Sequence, residues 1–180
     1  MLSEFQKRKL TVLFHHHDRD NDGFLTKADY EGFAQRVCKL WNYAPGTPEY
    51  ETAYAQNVAV WDYVQNVADK DKDGRVSLDE FLASYDVTLS DRATFDRVAV
   101  GYGTTIVQLG DLDRDGKMSG AEFVAMLDCY GVAKKAAQEA FQHVDADGDG
   151  YITLEEMLER YKEYLGDDPA APGNWVVGPY

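Results

Sequence analysis

The most informative part of the sequence is the twelve-residue segment DADGDGYITLEE, residues 145–156. It has aspartate at positions 1, 3 and 5, glycine at 6, an aliphatic residue at 8, a hydroxyl residue at 9 and a carboxylate at 12. Three earlier segments repeat the pattern: DRDNDGFLTKAD at 18–29, DKDKDGRVSLDE at 69–80 and DLDRDGKMSGAE at 111–122. Four copies are not accidental, so we number them loops 1 to 4 in chain order and treat the chain as a repeat protein.

Each loop has the oxygen donors that a hard divalent cation requires. Calcium takes about 6–8 oxygen ligands, so a chain must wrap it tightly with short acidic side chains at alternate positions. Glycine at position 6 permits a positive-φ turn, position 7 offers its backbone carbonyl, and position 12 reaches back from the outgoing helix. The predicted ligands are Asp18, Asp20, Asp22, Phe24, Thr26 and Asp29; Asp69, Asp71, Asp73, Arg75, Ser77 and Glu80; Asp111, Asp113, Asp115, Lys117, Ser119 and Glu122; and Asp145, Asp147, Asp149, Tyr151, Thr153 and Glu156.

Loop 1 differs from the others at position 12, where Asp29 replaces glutamate. The shorter side chain is predicted to reach the ion with one oxygen, which moves the site from seven ligands toward the six that magnesium demands. We therefore expect three to four bound calcium ions, with loop 1 the weakest site or one that tolerates magnesium.

Acidic residues are concentrated in these loops. The chain has 18 basic and 32 acidic residues for a formal net charge of −14, and half of the acidic residues occupy positions 1, 3, 5 and 12 of the loops. Such a balance disfavours nucleic acid and anionic membrane surfaces as partners. Four like charges in each loop repel one another without metal, so metal binding should stabilise the fold.

Apolar residues recur at helical spacing on both sides of every loop, which predicts an all-α fold of four helix-loop-helix units. Position 8 of each loop is expected on a short two-stranded ribbon that pairs loop 1 with loop 2 and loop 3 with loop 4. A break at Tyr43-Ala44-Pro45-Gly46-Thr47-Pro48 separates the first two units, and a new helix is predicted from about Glu49. Gly101 and Gly103 are expected to soften or kink the helix before loop 3.

These units resemble EF-hands, and the irregular spacing, many aromatic residues and apolar tail resemble the sarcoplasmic calcium-binding proteins, including bacterial calerythrin-like members. The resemblance implies one EF-hand domain over 1–180: a lobe at 1–88, a lobe at 89–166, both packed as one compact globule, and a tail at 167–180 on the core. We expect Trp175 of that tail to be buried against helices from both halves, which makes the tail part of the core. Family members usually have one degenerate loop, whereas all four loops are acidic here, so the number of working sites is not carried over.

The remaining features predict no chemistry of their own. Cys38 and Cys129 are too far apart and too apolar in setting for a disulfide framework, which favours a reducing, cytoplasmic location. The N-terminus lacks a signal-peptide pattern, and no segment approaches the roughly 18 apolar residues of a membrane span. His15, His16 and His17 point in different directions on a helix and cannot chelate one ion together, so we interpret them as cations at a helix C-terminus.

The sequence favours a monomeric calcium-binding protein without enzymatic activity, acting as an intracellular calcium buffer or a calcium-dependent regulator. A calcium sensor with an unidentified protein target is the alternative, although only four methionines are present and adaptable target grooves are rich in methionine. A luciferin-binding protein or photoprotein is a further alternative. The resemblance implies that such a protein needs a histidine in the last outgoing helix, and residues 156–164 contain none.

Overall fold

The computed structural model describes all 180 residues and consists of eight α-helices, two short antiparallel ribbons and one 3₁₀ helix. The helices are α1 (Glu4–His17), α2 (Lys27–Leu40), α3 (Pro48–Ala68), α4 (Leu78–Ser90), α5 (Arg92–Gly110), α6 (Gly120–Cys129), α7 (Lys134–Val144) and α8 (Leu154–Leu165), and the 3₁₀ helix is Pro172–Trp175. The strands are β1 (Phe24–Leu25), β2 (Val76–Ser77), β3 (Lys117–Ser119) and β4 (Tyr151–Thr153). The predicted all-α fold of four helix-loop-helix units is confirmed.

The chain forms two units. One unit is Leu10–Val87, with loops 1 and 2, and the other combines Met1–Lys9 with Thr88–Tyr180, with loops 3 and 4. None of the helices combines the length and the apolar character needed to span a lipid bilayer.

The Leu10–Val87 unit is built around aromatic rings that the helices bring together. Phe14 of α1 lies edge-on to Phe81 of α4 at 5.6 Å between ring centroids, and Trp61 of α3 is buried near Tyr30. Strand β1 pairs with β2 so that Leu25 opposes Val76. This unit's buried apolar side chains include Leu10, Leu13, Phe14, Leu25, Tyr30, Phe33, Val37, Trp61, Val64, Val76, Phe81 and Tyr85.

The second unit follows the same plan and adds the tail. Strand β3 pairs with β4 with Met118 opposite Ile152, and both side chains are fully buried. Its buried apolar side chains include Val98, Ile106, Val107, Met118, Phe123, Met126, Leu127, Val144, Ile152, Met157, Tyr161, Tyr164, Leu165, Val176 and Val177. The two ribbons are those predicted, and all four position-8 residues are buried in them.

Helix α5 is continuous through the glycines that were expected to kink it. Gly103 instead lies against α8, where an added Cβ would be 2.9 Å from a Leu158 methyl carbon. Gly101 has open space around it. The role of Gly103 is therefore to let two helices approach closely, and the expected kink stays a prediction.

The tail is held by polar as well as apolar contacts. Lys9 Nζ donates to the carbonyls of Tyr164 (2.5 Å) and Gly166 (3.1 Å) and to Asn174 Oδ1 (2.7 Å). Asn174, like Lys9, is fully buried. Trp175 falls short of the full burial that was predicted: its side chain is only partly buried, and its ring stacks on the His143 ring of α7 at 4.4 Å between centroids.

Candidate metal centres

All four loops share one set of backbone hydrogen bonds to their own carboxylates. The N–H of the position-6 glycine donates to the position-1 aspartate at 3.0–3.2 Å in every loop. The position-5 N–H donates to the position-3 aspartate at 3.0–3.2 Å, and the position-7 N–H donates to the position-5 aspartate at 2.8–3.0 Å. These bonds fix one oxygen of each carboxylate and turn the side chains toward the inside of the loop.

The backbone turns at two positions of each loop, and the sequence predicts only one of them. The position-6 glycines have φ between +87° and +92°, as expected for the residue that makes this turn. Position 4 also has positive φ in all four loops: 56° at Asn21, 62° at Lys72, 62° at Arg114 and 75° at Gly148. Asparagine and glycine tolerate this left-handed region, and their presence at this position in loops 1 and 4 is the signal that sequence reasoning missed.

The residues at positions 9 and 12 form the start of the outgoing helix. In each loop the position-9 hydroxyl donates to the position-12 carboxylate at 2.7 Å, and the position-9 N–H donates to the same oxygen at 2.8–2.9 Å. The other carboxylate oxygen accepts the N–H of position 2, at 2.8–3.3 Å. The cap of the helix therefore holds the position-12 side chain over the loop.

Carboxylate oxygens converge in each loop. Oxygens within 4.8 Å of one another come from Asp18, Asp20 and Asp22; from Asp69, Asp71 and Asp73; from Asp111, Asp113 and Glu122; and from Asp145, Asp147 and Glu156. The carboxylates outside these groups, at position 12 of loops 1 and 2 and position 5 of loops 3 and 4, are joined to their loops by the hydrogen bonds described above. An all-oxygen donor set of this kind fits calcium or magnesium and does not fit a soft metal.

Electrostatics keep the position-12 glutamates ionised. Backbone and side-chain hydrogen bonds from Ser77 lower the pKa of Glu80. Burial works against ionisation at Glu122 and Glu156, but hydrogen bonds from Ser119 and Thr153 outweigh it, so the pKa of each glutamate is lowered. These carboxylates are therefore ionised at neutral pH and available to a cation.

Position 1 of loop 1 is different. Burial raises the pKa of Asp18 despite hydrogen bonds from Gly23 and Asp22, and like charge from Asp22 and Asp29 acts in the same direction. A bound cation would relieve both effects by supplying opposite charge.

The histidines before loop 1 do not carry the charge that the sequence led us to expect. Burial, aided by Arg19, lowers the pKa of His16 to about 4, and burial lowers the pKa of His17 to about 3. The His17 ring stacks on Tyr30 at 5.0 Å. Both are neutral at physiological pH, and His17 packs as a core ring, so the interpretation as helix-terminal cations was wrong for these two residues.

Loops 1, 2 and 4 fall within matches to known domain models. An EF-hand domain pair covers residues 7–85, and an EF-hand domain covers residues 136–164. Calerythrin from Saccharopolyspora erythraea is 27% identical over 166 residues, with 91% of this chain and 94% of calerythrin covered. Sarcoplasmic calcium-binding protein 1 from Astacus leptodactylus is 28% identical over 183 residues, covering 93% of this chain and 92% of that protein.

Solved structures share the fold. A Streptomyces coelicolor calcium-binding protein, described in connection with prokaryotic calcium-mediated regulation, matches with a TM-score of 0.72 at 24% identity over 89% of this chain and 97% of its own. The calcium-loaded apo form of a coelenterazine-binding protein from Renilla muelleri matches with a TM-score of 0.75 at 24% identity, over 96% of this chain and 97% of its own. The repeated loops and these matches together show that this chain is a calcium-binding EF-hand protein whose homologues are calerythrin and the sarcoplasmic calcium-binding proteins.

Proposed function

We propose that this protein is an intracellular calcium buffer that binds three to four calcium ions and has no enzymatic activity. The observation that carries the proposal is the convergence of carboxylate oxygens in every loop, held by one repeated set of backbone hydrogen bonds. A loop that is already folded in this way loses little conformational freedom when the ion enters. Four such loops in a chain of 180 residues provide capacity, which is what a buffer requires.

We propose the same ligand positions in every loop. Carboxylates come from positions 1, 3, 5 and 12, a backbone carbonyl comes from position 7, and the hydroxyl residue at position 9 binds directly or through water. The hydrogen bonds of the position-12 carboxylates support this assignment, because the outgoing helix holds these side chains over their loops. In loops 2, 3 and 4 this side chain is glutamate, long enough to offer both oxygens.

Buffering is favoured over target binding by the placement of the methionines. Met118, Met126 and Met157 are buried, and only Met1 is exposed. Calcium sensors bind their targets with flexible, methionine-lined grooves, and this chain presents no such surface. Calcium-mediated regulation, as named for the Streptomyces coelicolor protein, is the alternative function; in this chain it would require calcium to expose a surface that binds a target protein.

The location and assembly that we propose follow from simpler features. Cys38 and Cys129 are free and buried, which supports a reducing, cytoplasmic setting. We propose a monomer as the active form, since calcium binding uses residues of a single chain. Helix α8 contains no histidine, so nothing in the site favours a luciferin-binding protein or photoprotein.

Calorimetric titration with calcium, with and without about 1 mM magnesium, tests the proposed function. We expect three calcium sites that persist in magnesium, and a fourth that weakens. The matched variants Glu80→Gln, Glu122→Gln and Glu156→Gln should each remove or weaken the site of their own loop. Binding of calcium only after addition of a protein target, or a large increase in exposed apolar surface on binding, would favour a sensor instead.

A further inference from the structure

Position 7 carries a cation opposite an aromatic ring in both loop pairs. In the Leu10–Val87 unit, the Arg75 guanidinium of loop 2 lies 4.0 Å from the centre of the Phe24 ring of loop 1. In the other unit, Lys117 Nζ of loop 3 lies 3.4 Å from the centre of the Tyr151 ring of loop 4. Position 7 has no conserved type of side chain among the four loops, yet each pair brings together one cation and one ring, which attract each other.

Strand pairing explains why the two side chains meet. Phe24 opposes Ser77, two residues beyond Arg75, so Arg75 and Phe24 are diagonal neighbours on one face of the ribbon. Lys117 and Tyr151 have the same diagonal relation, because Tyr151 opposes Ser119. The position-8 side chains point to the opposite face, into the core. Each ribbon therefore has a buried apolar face and an outer face that links the position-7 residues of its two loops.

Arg75 has a second contact that Lys117 lacks. Its Nη2 and Nε donate to Asp73 Oδ2 at 2.9 and 3.2 Å, and Asp73 is one of the three converging carboxylates of loop 2. Asp73 Oδ1 accepts the backbone N–H of Arg75 at 2.8 Å. The guanidinium thus holds a proposed metal ligand of loop 2 while it covers the position-7 ring of loop 1.

We propose that Arg75 couples the calcium sites of loops 1 and 2 and lowers the affinity of loop 2 for calcium. This inference rests on the proposed function, since it requires both loops to bind the ion. The positive charge of Arg75 offsets repulsion among the loop 2 carboxylates before calcium arrives and repels the ion afterwards. Both effects reduce calcium affinity at loop 2.

The coupling follows from the two contacts. Asp73 would hold a cation in loop 2 with the carboxylate that now accepts from Arg75, and the guanidinium, held less firmly by Asp73, would then rest more fully on the Phe24 ring. Phe24 is the proposed carbonyl ligand of loop 1, so reduced motion of its ring would raise the calcium affinity of that loop. Occupancy of loop 2 should therefore raise the affinity of loop 1, and by linkage occupancy of loop 1 should raise that of loop 2 equally.

The experiment follows the amide signals of Gly23 and Gly74 by NMR during a calcium titration. Their N–H groups donate to Asp18 and Asp69, so each signal reports its own loop. The coupling factor is the ratio of loop 1 affinities in the chain with loop 2 intact and with loop 2 disabled by Glu80→Gln. Arg75→Met removes the charge and keeps the length of the side chain. Lys70→Met is the matched control, because it removes a cation from the same loop without contact to Asp73 or Phe24.

We expect a coupling factor of at least about threefold in the natural sequence and in Lys70→Met, and a factor near one in Arg75→Met. Arg75→Met should also raise loop 2 affinity about three- to tenfold, and Lys70→Met at most about twofold. Phe24→Leu should abolish the coupling and leave loop 2 affinity within about twofold. In the presence of a calcium chelator, Arg75→Met should unfold at a lower temperature than Lys70→Met, because loop 2 then lacks the positive charge that offsets repulsion among its carboxylates.

Several results would overturn the inference. Equal coupling factors in Arg75→Met and the natural sequence would do so, as would equal affinity gains in Arg75→Met and Lys70→Met. Absence of calcium from loop 1 in every variant would also contradict the coupling while leaving buffering at the other loops intact. If neither glycine signal moves with calcium in the natural sequence, calcium binding at these two loops is itself refuted.

Discussion

A single methylene distinguishes loop 1 from the other loops. Asp29 makes the same hydrogen bonds as the glutamates of the other loops. One carboxylate oxygen accepts from the Thr26 hydroxyl at 2.7 Å and from the Thr26 N–H at 2.9 Å. The other oxygen accepts from the Arg19 N–H at 3.3 Å, the longest of the four distances between position-2 nitrogen and position-12 carboxylate. A shorter reach leaves less freedom to offer two oxygens to an ion near the loop centre.

We predict that Asp29→Glu raises calcium affinity at loop 1 about tenfold and reduces its tolerance of magnesium, because the longer side chain adds a second oxygen ligand. Calorimetry in the presence and absence of magnesium measures the change. Glu122→Asp in loop 3 is the reverse control and should weaken that loop alone. An unchanged or weaker isotherm for Asp29→Glu would mean that loop geometry, rather than side-chain length, sets the preference.

The positions of candidate ligands could be predicted from the sequence because the chemistry requires oxygen atoms at fixed intervals. The second backbone turn, at position 4, could not. Lys72 and Arg114 hold left-handed backbone that their residue types disfavour, and the hydrogen bonds of the surrounding loop impose it. Likewise, the burial of His17 depends on stacking with Tyr30, which lies beyond loop 1 in the sequence.

Among the elements, α5 shows how a local signal acquires a different meaning in the fold. Two glycines in one turn predict flexibility, but only the partner helix reveals that Gly103 is needed for contact with Leu158. The helices themselves could be located from the sequence, because the helical spacing of apolar residues is a pattern of neighbouring positions in the chain. Helix-to-helix distances are set by residues far apart in sequence, so they could not be predicted.

We predict that Gly103→Ala lowers the free energy of unfolding by about 1–3 kcal/mol, since the new methyl group overlaps Leu158. Gly101→Ala lies two residues away in the same helix with open space around it, and should be neutral or stabilising by up to about 1 kcal/mol. Urea unfolding of both variants measures the difference. Equal effects would show that the close approach of α5 and α8 is not tight.

Lys9 links α1 to the end of α8 and to the tail by hydrogen bonds. Burial lowers the pKa of its ammonium from 10.5 to about 8, although Asp167 and Asp168 oppose the shift. Between pH 8 and 10.5 the unfolded chain keeps a proton that the folded chain has released, so stability should rise with pH over this window. Below pH 8 both states are protonated and the full cost of burying the charge remains.

The contacts of Lys9 and the direction of its pKa shift together set the prediction for Lys9→Met. At pH 7 the free energy of unfolding of the variant should be about 1–3 kcal/mol lower, because the acceptors on Tyr164, Gly166 and Asn174 lose their donor. From pH 8 to 10.5 the natural chain should gain a further ~1–3 kcal/mol over the variant. Unfolding both proteins at several pH values gives the difference between their free energies of unfolding, in which the contributions of the other titrating groups cancel. A difference independent of pH would mean that burial does not penalise the ammonium.

For the whole molecule, charge is the dominant feature. The formal net charge of −14 would fall to −6 with four divalent ions, and half of the acidic groups occupy the proposed ligand positions. Repulsion within the loops opposes folding without metal, and any ligand that binds only the folded state stabilises it. The concentration of acidic residues in the loops therefore predicts from the sequence that stability and calcium binding are linked.

The most direct test of calcium binding at these loops is the number of calcium ions in the complex, counted by native mass spectrometry at saturating calcium. We predict at least three, because loops 2, 3 and 4 each combine three aspartates with a glutamate held over the loop by its helix cap. Substituting Glu122→Gln and Glu156→Gln together should lower the count by two at moderate calcium. A count of two or fewer for the natural sequence would contradict the assignment of these loops as calcium sites.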